Sequence, residues 1–131
     1  MKKLVVTSAA LVAVMGVALG AGEKPPAEHV QWMKHLGAQF GAIRKGVDVE
    51  KNANAMAEEM KGVAHFWKGR TSDVAAKANA DVLAGAQAVA KAAAASDTAG
   101  IAAGQKMIGA GCKGCHDVHR EKISDTENLI K

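Results

Sequence analysis

Residues 49–67, VEKNANAMAEEMKGVAHFW, place Val49, Ala53, Met56, Met60, Val63 and Trp67 at steps of 4, 3, 4, 3 and 4. Alternating threes and fours keep side chains on one face of a helix with 3.6 residues per turn, whereas a half-buried strand needs steps of two. The stretch predicts a helix with a bundle-type seam, and Asp48 is its candidate N-cap. Glu58, Glu59 and Lys61 fall off the seam and read as a solvated face. Toward the N-terminus, Pro25-Pro26 suits a first helical turn. The run Ala27 to Lys45 then carries Val30, Met33, Leu36, Gly37, Phe40 and Ile43 along one face, with Gly46 to end it. Toward the C-terminus, Lys68-Gly69-Arg70 interrupts, and Ser72 or Asp73 caps a third helix to about Ala95, with Val74, Ala78, Val82, Ala86, Val89 and Ala93 inward. Ser96-Asp97 opens a fourth, with Ile101, Gln105, Ile108, Cys112 and His116 along one side, expected to reach about Lys122 before a fraying tail from Ser124 to Lys131. Short connections force antiparallel neighbours, so the expected fold is all-α, an up-down-up-down antiparallel four-helix bundle. Met56, Met60 and Met107 read as core filling.

Composition agrees. Of 131 residues only 3% are aromatic, with no Tyr, which excludes an all-β core. The hydrophobic share of 49% excludes disorder, but so much of it is Ala that apolar volume is thin, and something else is expected to fill the interior. Met1-Lys2-Lys3, the uncharged apolar run Leu4 to Leu19 and the small-residue end Ala18-Leu19-Gly20 read as a secretory signal peptide over 1–21, cut near Gly20 or Ala21. The competing reading of that run is an uncleaved anchor helix. Cleavage leaves one domain, 22–131, in the periplasm, without stable membrane insertion. It also removes two lysines, so 17 − 2 = 15 positive side chains face 13 negative ones, a net +2. That balance, with no basic stripe interleaved with aromatics, argues against a nucleic-acid partner.

The chemistry lies in Cys112-Lys113-Gly114-Cys115-His116, which holds both cysteines of the chain. CxxCH is the attachment pattern of covalent haem. On a helix Cys112, Cys115 and His116 stand at i, i+3 and i+4 and share one face. Two thioethers could then pin the porphyrin while His116 binds iron through one ring nitrogen, most simply Nε2. The other N–H would need an acceptor. Three readings compete. A disulfide oxidoreductase normally carries CxxC at a helix start in an αβ fold, and no strand pattern exists here. A structural zinc site needs a second ligand pair, for which His29, His35, His65 and His119 have no matching spacing. A structural disulfide sits poorly on i and i+3 of a helix. Haem would also fill a core short of side-chain volume.

Cys112-Lys113-Gly114-Cys115-His116-Asp117-Val118-His119-Arg120, near the end of a fourth helix and behind an export signal, resembles the CKxCHxxxR motif of the class II cytochromes c, the cytochrome c′ family. His119 departs from it, since the family usually has an aromatic residue just before the arginine. Gly37-Ala38-Gln39-Phe40-Gly41 is similar to the family's glycine-containing segment in the first helix. The resemblance spans the mature chain as architecture and is specific at these two places. It implies one haem c, with His116 proximal and Met33 over the distal face. In low-spin relatives that residue is a Met whose sulfur is the sixth ligand, and in five-coordinate members an apolar blocker above an iron that binds small gases. The bland alternative for Met33 is core packing. His29 and His35 are competing sixth ligands, of which only His29 shares the face of Met33. Many relatives carry at the position of His29 an arginine that approaches a haem propionate. Arg120 is i+4 from His116 and, by the resemblance, lies near the proximal face or the haem's acidic groups; a solvated helix-end cation is the equal alternative. Trp32 and Trp67 cover apolar haem or core surface. The resemblance implies single-electron transfer with transient periplasmic redox partners rather than enzymatic catalysis, and a homodimer through the first two helices is a family expectation. The alternative function is a five-coordinate protein that binds nitric oxide or carbon monoxide. A peroxidase-like enzyme has no acid/base pair beside the distal position.

Overall fold

The computed structural model describes residues 22–131. The expected leader, residues 1–21, lies outside the described residues. Among them four helices follow one another: α1 Ala27–Arg44, α2 Val49–Lys68, α3 Asp73–Ala94 and α4 Thr98–His119. A short antiparallel hairpin comes last, β1 Arg120–Lys122 with β2 Asn128–Ile130. Trp32 packs over Gly62 while His35 meets Glu59, so α1 and α2 run in opposite directions. Ser72 meets His119 while Gly85 abuts Gly104, so α3 and α4 do too. Four residues join α2 to α3, too few to let the chain cross back. The arrangement is all-α apart from the hairpin and compatible with an up-down-up-down bundle. None of these helices is long and apolar enough to cross a membrane.

Local chemistry sets the helix ends. Pro26 occupies the N-cap of α1 without a side-chain cap. At its far end Val47 N–H donates to Ala42 O and Gly46 N–H to Ile43 O, 3.0 Å each, with Gly46 at φ 73°. That is the helix-closing motif in which glycine takes the left-handed position at little steric cost. The Oγ of Ser72 accepts from Ala75 N–H at 3.1 Å and caps α3, and Asp97 caps α4 through Gly100 N–H at 2.9 Å. Asp48 holds the N-cap position of α2 but adopts the left-handed conformation and makes no cap bond. Instead Asn52 Nδ2 reaches back to Val47 O at 3.0 Å.

The α2 seam is as the periodicity predicts: Ala53, Met56, Met60, Val63 and Trp67 are buried. Four expectations change. Val74 and Met107 are exposed and not core. A series with steps of four drifts about 40° per step around a helix, so by Val74 it has left the inward face and Ala75 takes its place. The fourth helix stops at His119 rather than near Lys122, and the tail does not fray: Ile130 is buried and β2 pairs with β1.

Glycines set the spacing of α3 and α4. A Cβ at Gly104 would lie 2.6 Å from Val89 Cγ2 and 2.9 Å from Gly85 O, and one at Gly111 would lie 2.6 Å from Val82 Cγ2. The two backbones therefore approach closely, while α1 and α4 touch little. Gly104→Ala is expected to destabilise the fold by about 1–3 kcal/mol through overpacking. Gly41→Ala, where an added Cβ meets nothing, is expected to stabilise it by about 1 kcal/mol through helix propensity. Urea unfolding of the two variants checks both signs.

Candidate functional site

The gap left where α1 stands off from α4 is a cavity of about 590 Å³. Leu36 and Phe40 line it from α1, Met60, Val63 and Trp67 from α2, and Val82 from α3. Cys112, Cys115 and His116 line it from α4. At about 100° per residue, the α1 positions on the wall, from Leu36 through His29, Phe40, Met33, Gly37 and Val30 to Lys34, span an arc centred between Met33 and Gly37. A Cβ at Gly37 would touch nothing within 4 Å, which leaves open space beside the Met33 side chain. Thr126 to Ile130 of the final segment, with Lys24 and Pro25, also line it, and the exposed Lys24 and Thr126 to Asn128 stand at its mouth.

The CxxCH residues lie in the last two turns of α4. Both cysteines are free thiols and half-buried. Burial pushes both thiols above their ordinary pKa, and the neighbouring Cys112 adds to this at Cys115. A redox-active CxxC works the other way, with a thiolate stabilised at a helix N-terminus, so a disulfide-exchange site does not fit this environment. Burial also holds His116 below the ordinary histidine value, helped by the Arg120 charge and opposed by Asp117. The ring is thus neutral at neutral pH, the form that binds a metal. Among the described residues no three His, Cys, Asp or Glu side chains converge to hold a metal ion, so a four-ligand zinc site has no set to draw on there.

The other residues singled out by sequence divide cleanly. Met33 is half-buried and at the middle of the α1 wall. His29 is buried at the edge of that wall, its ring 4.7 Å from Phe66 and 6.4 Å from Trp32. Its pKa is lowered by burial first, then by the charges of Arg70 and His116. His35 turns away, its Nδ1 2.7 Å from Glu59 Oε1, and does not line the cavity. Trp67 lines the cavity, whereas Trp32 packs on Gly62 between α1 and α2. Arg120 is not helical; it begins β1, exposed, at the cavity mouth, and its N–H donates to His116 O.

Sequence reasoning missed two residues. Asn79, on the α3 wall, is 93% buried (7% exposed), and its Nδ2 has no hydrogen-bond partner. Its spacing matches the inward face of α3, but nothing in the sequence marks it as facing a cavity rather than water. His119 is the second: it joins the end of α4 to Ser72 and to the tail.

These features test the fit of a haem. The volume falls in the roughly 300–1,000 Å³ range of ligand pockets, and the wall is mostly apolar with a few convergent polar groups. Cys112, Cys115 and His116 share that wall, and a buried donor on Asn79 lacks an acceptor that a bound group could supply. The residues present fit. Comparisons with protein-family models, with curated proteins and with solved structures give no match.

Asn79→Leu is expected to stabilise the unloaded chain by roughly 1 kcal/mol, because it removes an unpaired buried donor, and to destabilise the loaded protein. Urea midpoints of the two forms check this. Because His29 and His116 have lowered pKa values in the fold, the unfolded chain binds protons more readily. The stability they confer is complete above the ordinary 6.5 and is lost as pH falls through the lowered values. The urea midpoint of the unloaded chain should therefore drop from about pH 7 to about pH 5, and His29→Phe should flatten the drop.

Proposed function

We propose that this chain is a periplasmic c-type cytochrome of the class II kind, which carries single electrons on one covalently bound haem c and is not an enzyme. The observation that carries the reading is that Cys112, Cys115 and His116 stand together on the wall of a mostly apolar cavity that also has Met33 at the centre of its α1 side. When bound, haem c supplies a one-electron iron couple.

The chain's own residues then have defined tasks. Cys112 and Cys115 give sulfurs three residues apart on one helix, which hold the group by two bonds to a single rigid element. His116 offers a neutral imidazole nitrogen to the iron from one residue beyond. Met33 offers a thioether, a soft and uncharged donor that favours the reduced iron and raises the potential. Held by both His116 and Met33, the metal would be closed to oxygen and peroxide. Met60, Val63, Trp67 and Val82 exclude water from the wall, and Lys24, Lys34 and Arg120 outweigh Glu127 on the lining, a positive balance that suits a group with two carboxylates.

Those two carboxylates would offset the +2 of the mature chain, so strong electrostatic steering of partners is not expected. Small, transient interfaces with other periplasmic redox proteins suit such a carrier. The signal peptide read over 1–21 supports export.

Carbon monoxide added to the reduced protein tests the distal assignment. Slow binding at neutral pH is expected, with Met33→Ala making it fast, lowering the reduction potential and turning the oxidised iron from low to high spin. Rapid binding to the unaltered protein would instead favour a five-coordinate gas-binding protein in which Met33 only packs, and an unchanged spin state and potential in Met33→Ala would remove Met33 from the ligand set.

A further inference from the structure

We propose that His119 is a positioning residue that latches the C-terminal strand, Asn128–Ile130, across the cavity mouth and thereby keeps bulk water and external small ligands from the wall that carries His116. The latch is a property of the folded chain; only its effect on access to iron rests on the haem reading.

Every polar atom of the His119 ring is committed. Nε2 lies 2.7 Å from Ser72 Oγ. That oxygen also accepts from Ala75 N–H at 3.1 Å, and its hydroxyl proton is free to be donated to Nε2 once Nδ1 carries the ring proton, as its acceptor-only partner, the main-chain oxygen of Lys131, requires. The ring proton therefore belongs on Nδ1, which donates to the main-chain oxygen of Lys131 at 2.9 Å. The main chain doubles this link, since Lys131 N–H donates to His119 O at 2.9 Å. The ring packs against Trp67 at a tilt of 43°, with centroids 4.5 Å apart. One side chain thus joins α2, the cap of α3, the end of α4 and the tail.

What it holds down is the rim. Next to Lys131, Ile130 is 6% exposed and exchanges two backbone hydrogen bonds with Glu23, of 2.7 and 2.8 Å. That bridge brings Lys24 and Pro25 to the same rim. Glu23 is itself ion-paired with Arg70, whose guanidinium lies 4.1 Å from the centroid of the Phe66 ring. A phenylalanine at 119 would keep the tilted ring contact with Trp67 but has no nitrogen for Ser72 or Lys131. His119→Phe therefore separates latching from packing.

The test has two arms. In the unloaded full-length chain, His119→Phe is expected to speed amide hydrogen exchange at Glu23 and Ile130 by about tenfold, while the amides of Val82, Val89 and Ile108 keep their protection. In the haem-loaded protein, the same variant is expected to bind added imidazole about tenfold faster and to lower the reduction potential, in the direction of greater solvent exposure. A chain ended after Ser124 gives the fully open reference for Glu23 exchange in the first arm and for imidazole binding and potential in the second. Unchanged exchange at Glu23 and Ile130 overturns the latch. Faster exchange with unchanged imidazole binding and potential overturns the strand's role as a cover. If the exported protein takes up no haem, the functional reading fails, and the exchange data alone decide the latch.

Discussion

The structure depends on how closely α3 and α4 approach. Val82 and Val89 of α3 sit where side chains at Gly111 and Gly104 would have to go, so the two helices pack backbone to backbone over several turns. This contact fixes the rotation of α4. Once Gly104, Ile108 and Gly111 are turned toward α3, the next positions round, Cys112 and His116, face the gap in front of α1. A short list of small residues thus decides where the chemistry-bearing side of the helix points. The same contact leaves little side-chain volume at that end of the core, and the result is a cavity of about 590 Å³ rather than a collapsed interior.

The environment of that cavity follows from its apolar wall. Burial disfavours charge, so the thiols stay protonated and the imidazoles of His29 and His116 stay neutral. Those are the forms in which a cysteine is unreactive toward disulfide exchange and a histidine can bind metal. The charged side chains on the lining are the cations Lys24, Lys34 and Arg120 and one carboxylate, Glu127, a positive balance. An apolar interior with a cationic lip suits a flat apolar group that ends in anionic substituents.

Much of this was legible in residue spacing. The seam from Ala53 to Trp67 and a cap at Ser72 or Asp73 depend only on periodicity and on hydrogen bonds within a few residues; the seam occurs as read, and Ser72 is the one of the two that caps. The shared face of Cys112, Cys115 and His116 was legible for the same reason, whereas the place of Met33 on the opposite wall was legible only through the family resemblance. What escaped depends on contacts distant in sequence. The tail looks polar and weak by itself, and it is ordered because Ile130 finds Glu23, more than a hundred residues away, and because His119 reaches Lys131. Asn79 lies on an inward face, but only the assembled fold shows that the face borders a cavity and that its amide is unpaired. Met107 was read as core from residue type, and Val74 from a four-residue step whose drift had already carried it outward.

The central claim is that Cys112 and Cys115 are bonded to a haem whose iron is held by His116. The intact mass of protein exported from a host with working haem-attachment machinery, read together with its oxidised and reduced absorption spectra, tests that claim most directly. The account predicts a red protein whose mass exceeds that of the polypeptide by one haem, retained after denaturation and lost when Cys112 and Cys115 are both replaced by Ala. A colourless product with the mass of the bare chain would contradict it.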